Sequence, residues 1–180
     1  DIVEASSPGS TIRSSLAALH YAVTPFFTGP DAAKPGWRLF AFEFDHPPLS
    51  SNTFFIDYAN DYRPDQFDPS NDGDYRITRE HPNGARALSS IWLLSNDAEA
   101  DRAQLEKMGF GHATPVTLPA VGAKGFCVPV GPTALLALEP AGPGLARETM
   151  AGGPRILGVS FAVADLGRAQ RWVERGYEQK

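Results

Sequence analysis

The chain has 180 residues and 42% hydrophobic content, enough for one sizeable core or two small ones sharing a sheet. A net charge of −5 with no basic cluster argues against nucleic acid or an anionic membrane as partner. No stretch has the apolar length of a transmembrane helix and the first residues carry no signal-peptide pattern, so a cytoplasmic protein is expected.

Ser10–Leu19 reads as a helix, with His20-Tyr21 and then Thr24-Pro25 behind it. Trp37–Phe44 alternates as a strand, Phe40, Phe42 and Phe44 on one face and Leu39, Ala41 and Glu43 on the other. Thr53, Phe55 and Asp57 similarly oppose Phe54, Ile56 and Tyr58. A face carrying Glu43 or Asp57 beside aromatic rings could line an apolar pocket with a few polar groups. The plainer alternative puts Glu43 in water and Asp57 on nearby backbone, with the phenylalanines as ordinary core. Residues 60–80 are rich in Asp, Asn and Pro, the composition of a surface loop. Asp68, Ser70, Asp72 and Gly73 match the start of a calcium loop, but Arg79 stands where a chelating Glu is required, so an Asx-rich turn is expected.

In His81-Pro82-Asn83-Gly84, Pro82 forces His81 into an extended conformation and Asn83-Gly84 favours a tight turn. Ala87–Ser95 then reads as a strand buried on both faces. Asp97 suits the start of a helix over Ala98–Met108, with Ala100, Ala103, Leu105 and Met108 expected inward and Gly109 closing it. Strands follow at about 113–118, 124–130 and 133–139, which makes the order βαβββ. Cys127, alone in the chain and set between Phe126 and Val128 in a strand, reads as a small core hydrophobe. His20, His46 and His112 read as surface or capping residues.

The pattern then returns. Ile156–Val163 reads as a strand, Asp165 opens a second helix over Leu166–Arg175, and Gly176-Tyr177 repeats the Gly-aromatic pair of Gly109-Phe110. The segment from Ser10 to Tyr21 is a worn copy of the same unit. Repeats of this kind are modules that bury their apolar faces against neighbours. The expected division is 1–80, an incomplete module with the Asp/Asn-rich loop; 81–145, a complete βαβββ module; and 146–180, a linker and the start of a further module. Asp1–Ala5 could supply a fragment of the first module's missing strand. Either the native chain is longer, or the last strand completes the first module.

The tandem βαβββ units, with Asp97 and Asp165 each ending a strand and opening a helix, resemble the vicinal oxygen chelate superfamily of glyoxalases, extradiol dioxygenases and bleomycin-resistance proteins. Gly125–Pro140 is similar to the final hairpin of such a module, and His81–Ala85 resembles a motif of bacterial glyoxalase-like domain proteins. The resemblance implies an α/β (α+β) fold, with paired modules forming a cupped half-barrel sheet, helices outside, and a divalent metal held by His and Glu. The family's usual His, seven residues before the Asp, falls on Ser90 and Gly158, and its Glu falls on Leu136 with Glu139 three residues later. No metal is therefore expected from those strands, although a divalent ion stays open through His81, Asp57, Glu43 and Glu139. The function implied is a glyoxalase-like small-molecule-binding protein, acting as a lyase or dioxygenase on a small oxygenated substrate; the alternative is a metal-free binding or structural module without catalysis. The ligand-binding candidates are Asp57, His81, Asn83 and Trp92, Trp92 sharing a strand face with Ser90. Catalytic residues are not identifiable, and a homodimer is compatible with the resemblance.

Overall fold

The computed structural model describes residues 8–28, 37–43, 45, 47–50, 53–58 and 83–176, with the backbone alone described at 8–10, 57, 58 and 176. His81, His46, Phe44, residues 1–5, the 60–80 loop and Tyr177 lie outside the described residues. The elements in chain order are α1 (Pro8–Ala18), β1 (Phe27–Thr28), β2 (Trp37–Ala41), β3 (Phe54–Tyr58), β4 (Ala85–Leu94), α2 (Ala98–Lys107), β5 (Thr114–Leu118), β6 (Ala123–Val130), β7 (Thr133–Pro140), α3 (Leu145–Met150), β8 (Ile156–Val163) and α4 (Leu166–Gly176). A 3-10 turn at Pro119–Val121 joins β5 to β6. The short helix α3 falls in what the sequence pattern marks as linker.

This is an α+β fold with two open sheets and no closed barrel among the described residues. The larger sheet has strand order β5-β6-β7-β4-β8, and the smaller β1-β2-β3. Within the larger one β4 and β7 run parallel while the other neighbours are antiparallel. Parallel pairing needs a crossover, and α2 with the β5–β6 hairpin supplies it. The β4-α2-β5-β6-β7 segment is thus the expected βαβββ module. β8 adds to the far edge of β4, so the first strands of two successive copies lie side by side.

The register of that pairing carries the repeat into three dimensions. Ser90 faces Ser160, and Trp92 faces Gly158. Exchanging each residue for its counterpart in the other copy, Ser90 for Gly158 and Trp92 for Ser160, turns one pair into the other, as a local two-fold axis requires. Both following helices start in the same way. Asp97 Oδ1 accepts from the Ala100 amide at 2.9 Å and Asp165 Oδ1 from the Arg168 amide at 2.9 Å, each satisfying an amide that the first helical turn leaves without a carbonyl.

The helix of the first segment ends in the same way as α2. After α2, Gly109 adopts φ +93° and the Phe110 amide reaches back to the Leu105 carbonyl. After α1, His20 adopts φ +65° and the Tyr21 amide reaches back to the Leu16 carbonyl. Both are left-handed closures in which the amide of the residue after the turn bonds the carbonyl five residues back. Leu16 and Leu105, their equivalent anchors, are 3% and 1% exposed.

Two cores follow from the two faces of the larger sheet. On one face α2 sets Leu105 against Val128, with Phe126, Leu135 and Met108 around them. The opposite face buries Leu94, Leu136 and Leu138 with Ala146 of α3. A third cluster, Leu16 with Phe40 and Phe42, joins α1 to the smaller sheet, where Phe55 stacks on Phe40 at 4.8 Å. The inward stripe of α2 differs from expectation. Ala98, Asp101 and Leu105 are buried whereas Ala100 and Ala103 are exposed. The rotation is set by Asp101, whose Oδ1 accepts from the Ser50 amide at 2.9 Å and lies 3.2 Å from Ser50 Oγ. A buried carboxylate demands such donors, and the segment at 47–50 brings them.

At the other end of α2 the Ala113 amide donates to Glu106 Oε1 at 2.9 Å. That bond, ahead of the nearby Arg102 and His112 charges, holds the Glu106 carboxyl below its ordinary value. Its contribution is complete above the ordinary carboxylate range and fades as pH falls through the lowered value.

A non-glycine residue in the left-handed region costs roughly 1–2 kcal/mol, while glycine costs roughly 0.5–1 kcal/mol in unfolded-chain entropy. His20→Gly is therefore expected to raise the unfolding free energy by about 0.5–1 kcal/mol, and Gly109→Ala to lower it by about 1 kcal/mol. Urea titration of both variants checks the pair.

Candidate functional site

β4 lies inside the sheet, so its alternate residues project to opposite faces, and Ser90, Trp92 and Leu94 point away from α2. Cross-strand pairing extends this face into rows. Ser160, Ser90, Ala134 and Pro129 form one, and Gly158, Trp92, Leu136, Cys127 and Thr114 the next. α3 covers the Leu94 and Leu138 end of the face, while Trp92 and Ser160 remain half-buried.

One indole organises the uncovered part. Trp92 Nε1 donates to Ser90 Oγ at 3.0 Å and to Ser160 Oγ at 3.1 Å. The ring lies along Gly158, where an added Cβ would stand 3.2 Å from Trp92 Cε3. Glycine is what lets the ring settle on β8. A half-buried Trp with its N–H satisfied is a rigid apolar wall with a polar corner.

These residues do not fit the transition metal that the family resemblance implies. Ser90, at one expected ligand position, holds an indole N–H with its oxygen, and Gly158, at the other, has no side chain and is covered by the ring. Among the described residues no three His, Cys, Asp or Glu side chains converge as a metal would require. Glu43 is exposed at the end of the smaller sheet. Glu139 pairs with Lys124 at 3.3 Å and shares its row with Lys124 on the α2 side, across the sheet from Trp92. That side has an open groove of about 360 Å³ bordered by Glu99, Thr117, Lys124, Phe126 and Glu139.

Asn83, another of the sequence-derived candidates, lies apart from Trp92. Asn83 Oδ1 accepts from the Ala85 amide at 2.9 Å, forming the turn that leads into β4. At roughly 3.3 Å per residue, Asn83 stands on the order of 25–30 Å from Trp92 along the strand, so the structure does not bring the two together. The backbone of Asp57 lies in β3 opposite Arg38, and its side chain, like His81, is outside the described residues. Ser160 was not singled out by the sequence reading. Antiparallel pairing of the two first strands is the signal that finds it, because that pairing sets Ser160 opposite Ser90.

No protein-family model matches the chain, and no curated protein sequence matches it. Solved structures do match. Among them, methylmalonyl-CoA epimerase from Mycobacterium tuberculosis is 14% identical, with a TM-score of 0.46 over 52% of this chain. The chain spans 66% of that protein's length.

Gly158→Ala is expected to push the Trp92 ring from its seat and disturb its paired hydroxyl contacts, costing about 1–3 kcal/mol of stability. Tryptophan emission should shift in the otherwise native chain and stay unchanged in a Trp92→Phe background, where only Trp37 and Trp172 report.

Proposed function

We propose that this chain is a glyoxalase-like module of the vicinal oxygen chelate kind that binds a small molecule on the Trp92 face without a transition metal at the β4–β8 pair. The observation behind this reading is the fate of the two expected ligand positions. Where an imidazole would stand on each first strand, Ser90 and Gly158 together seat an indole. The βαβββ order, the local two-fold between β4 and β8, and the capped helices support kinship with that superfamily. A floor of Leu136, Cys127 and Ala134 beside one rigid aromatic and two hydroxyls has the make-up of a small-molecule site, largely apolar with a few placed polar groups.

Lyase or dioxygenase chemistry of the metal-assisted sort would need three or four ligands from elsewhere, and His81 and Asp57 are the candidates that sequence supplies. Elemental analysis of gently purified protein separates the readings. We expect no stoichiometric Zn, Fe, Mn or Ni. One ion per chain, lost on His81→Ala, would overturn the metal-free reading and favour the enzyme. A screen of aromatic and dicarbonyl compounds, read by Trp92 emission and melting temperature, is expected to yield binders; flat responses throughout would remove the pocket.

A further inference from the structure

We infer that the Trp92 face receives an uncharged carbonyl oxygen, with the Ser90 and Ser160 hydroxyls as its two donors. This deepens the binding reading above and rests on it. A serine hydroxyl has one O–H to donate and two lone pairs to accept with. The Trp92 N–H takes a lone pair from each oxygen, which leaves both O–H bonds unspent. Among the described residues neither hydroxyl donates to a side chain or carbonyl, although Ser90 is only 8% exposed. A buried donor without an acceptor is costly and rare, so water or a ligand oxygen belongs there.

The two oxygens flank a single nitrogen, so their hydrogens can converge on one acceptor. An sp² carbonyl oxygen, with two lone pairs in one plane, suits a pair of donors better than an alcohol does. Charge decides between a carbonyl and a carboxylate. The two rows that form this face contain no Lys, Arg or His, and a carboxylate taken from water without a cation loses more solvation than two hydroxyls return. The apolar body of the ligand would lie on Ala134, Leu136 and Cys127, against the Trp92 ring.

Acetophenone, 1-phenylethanol and benzoate share one aromatic body and differ in the oxygen group. Titrated into the full chain and followed by the Trp92 indole ¹H–¹⁵N resonance, assigned with Trp92→Phe, acetophenone is expected to bind tightest of the three. Removing each hydroxyl, by Ser90→Ala or Ser160→Ala, should weaken acetophenone by roughly threefold to tenfold, and Ser90→Thr should restore it. Equal binding of benzoate or the alcohol, or unchanged binding by folded alanine variants, would overturn the donor assignment and leave the pocket standing. If the alanine variants do not fold, the ranking of the three probes on the native chain decides. Should none of the probes move the indole resonance, the pocket reading fails and this inference with it.

Discussion

The position of β4 constrains everything else in the larger sheet. It pairs in parallel with β7 over residues 90–94 and antiparallel with β8 along most of its length, so residues 90–93 have a neighbour on either side and a defined face. A one-residue slip would turn Ser90 and Trp92 toward α2 and Ile91 and Leu93 away from it. The near-complete burial of Leu94 on one face and of Leu105, packed over the other, opposes that slip. The register that brings Trp92 onto Gly158 is therefore secured by core packing, and the hydroxyl pair follows from it.

α2 links this sheet to the first part of the chain. Its inner side lies over β6 and β7, and its outer contacts reach back to the worn module. Tyr21 Oη donates to Gln104 Oε1 at 2.7 Å, and Lys107 Nζ stands 4.6 Å from the Tyr21 ring centroid. Burial pushes the Tyr21 phenol above its ordinary value. Ser50 joins Asp101 to Ser95, with 2.9 Å between the two hydroxyl oxygens, and Met108 touches the cores on both sides. By contrast α4, the equivalent helix of the last copy, leaves Leu166, Trp172 and Val173 exposed. The difference is that α2 has β6 and β7 beneath it.

Under the function proposed above, the Trp92 face would differ in chemistry from the metal-centred site of the superfamily that the sequence resembles. In a metal-centred site, paired first strands offer imidazoles to a cation. Here the same two positions, brought together by the same local two-fold, form the seat of an aromatic ring. In that proposal, hydrogen-bond donors and an apolar floor stand where the resembled superfamily has Lewis acidity. Such a face can select a ligand by shape and by its oxygen acceptor, two properties that depend on a rigid scaffold.

Most of the elements and their repeat were legible from residue type and spacing. Asp97 and Asp165 marked the helix starts, Gly109 a helix end, and the Gly131-Pro132 pair the last hairpin, because capping and turn chemistry are local and depend on residue type. His20 in place of glycine was legible as a worn copy only because Tyr21 and the preceding helix kept the pattern. That Ser90 and Gly158 stand where the resembled superfamily usually carries a His was readable as well, from the seven-residue spacing to Asp97 and Asp165. Which residues meet was settled by long-range packing and strand pairing. The inward turn of Asp101 depends on Ser50, about fifty positions earlier in the chain. The union of Trp92 with Ser90 and Ser160 depends on β8 joining β4 rather than the smaller sheet. Asn83, a neighbour in sequence reasoning, stands far along the strand because an extended chain separates residues quickly. Strand partners are chosen by non-local burial and ladder bonding, which no short window of sequence contains.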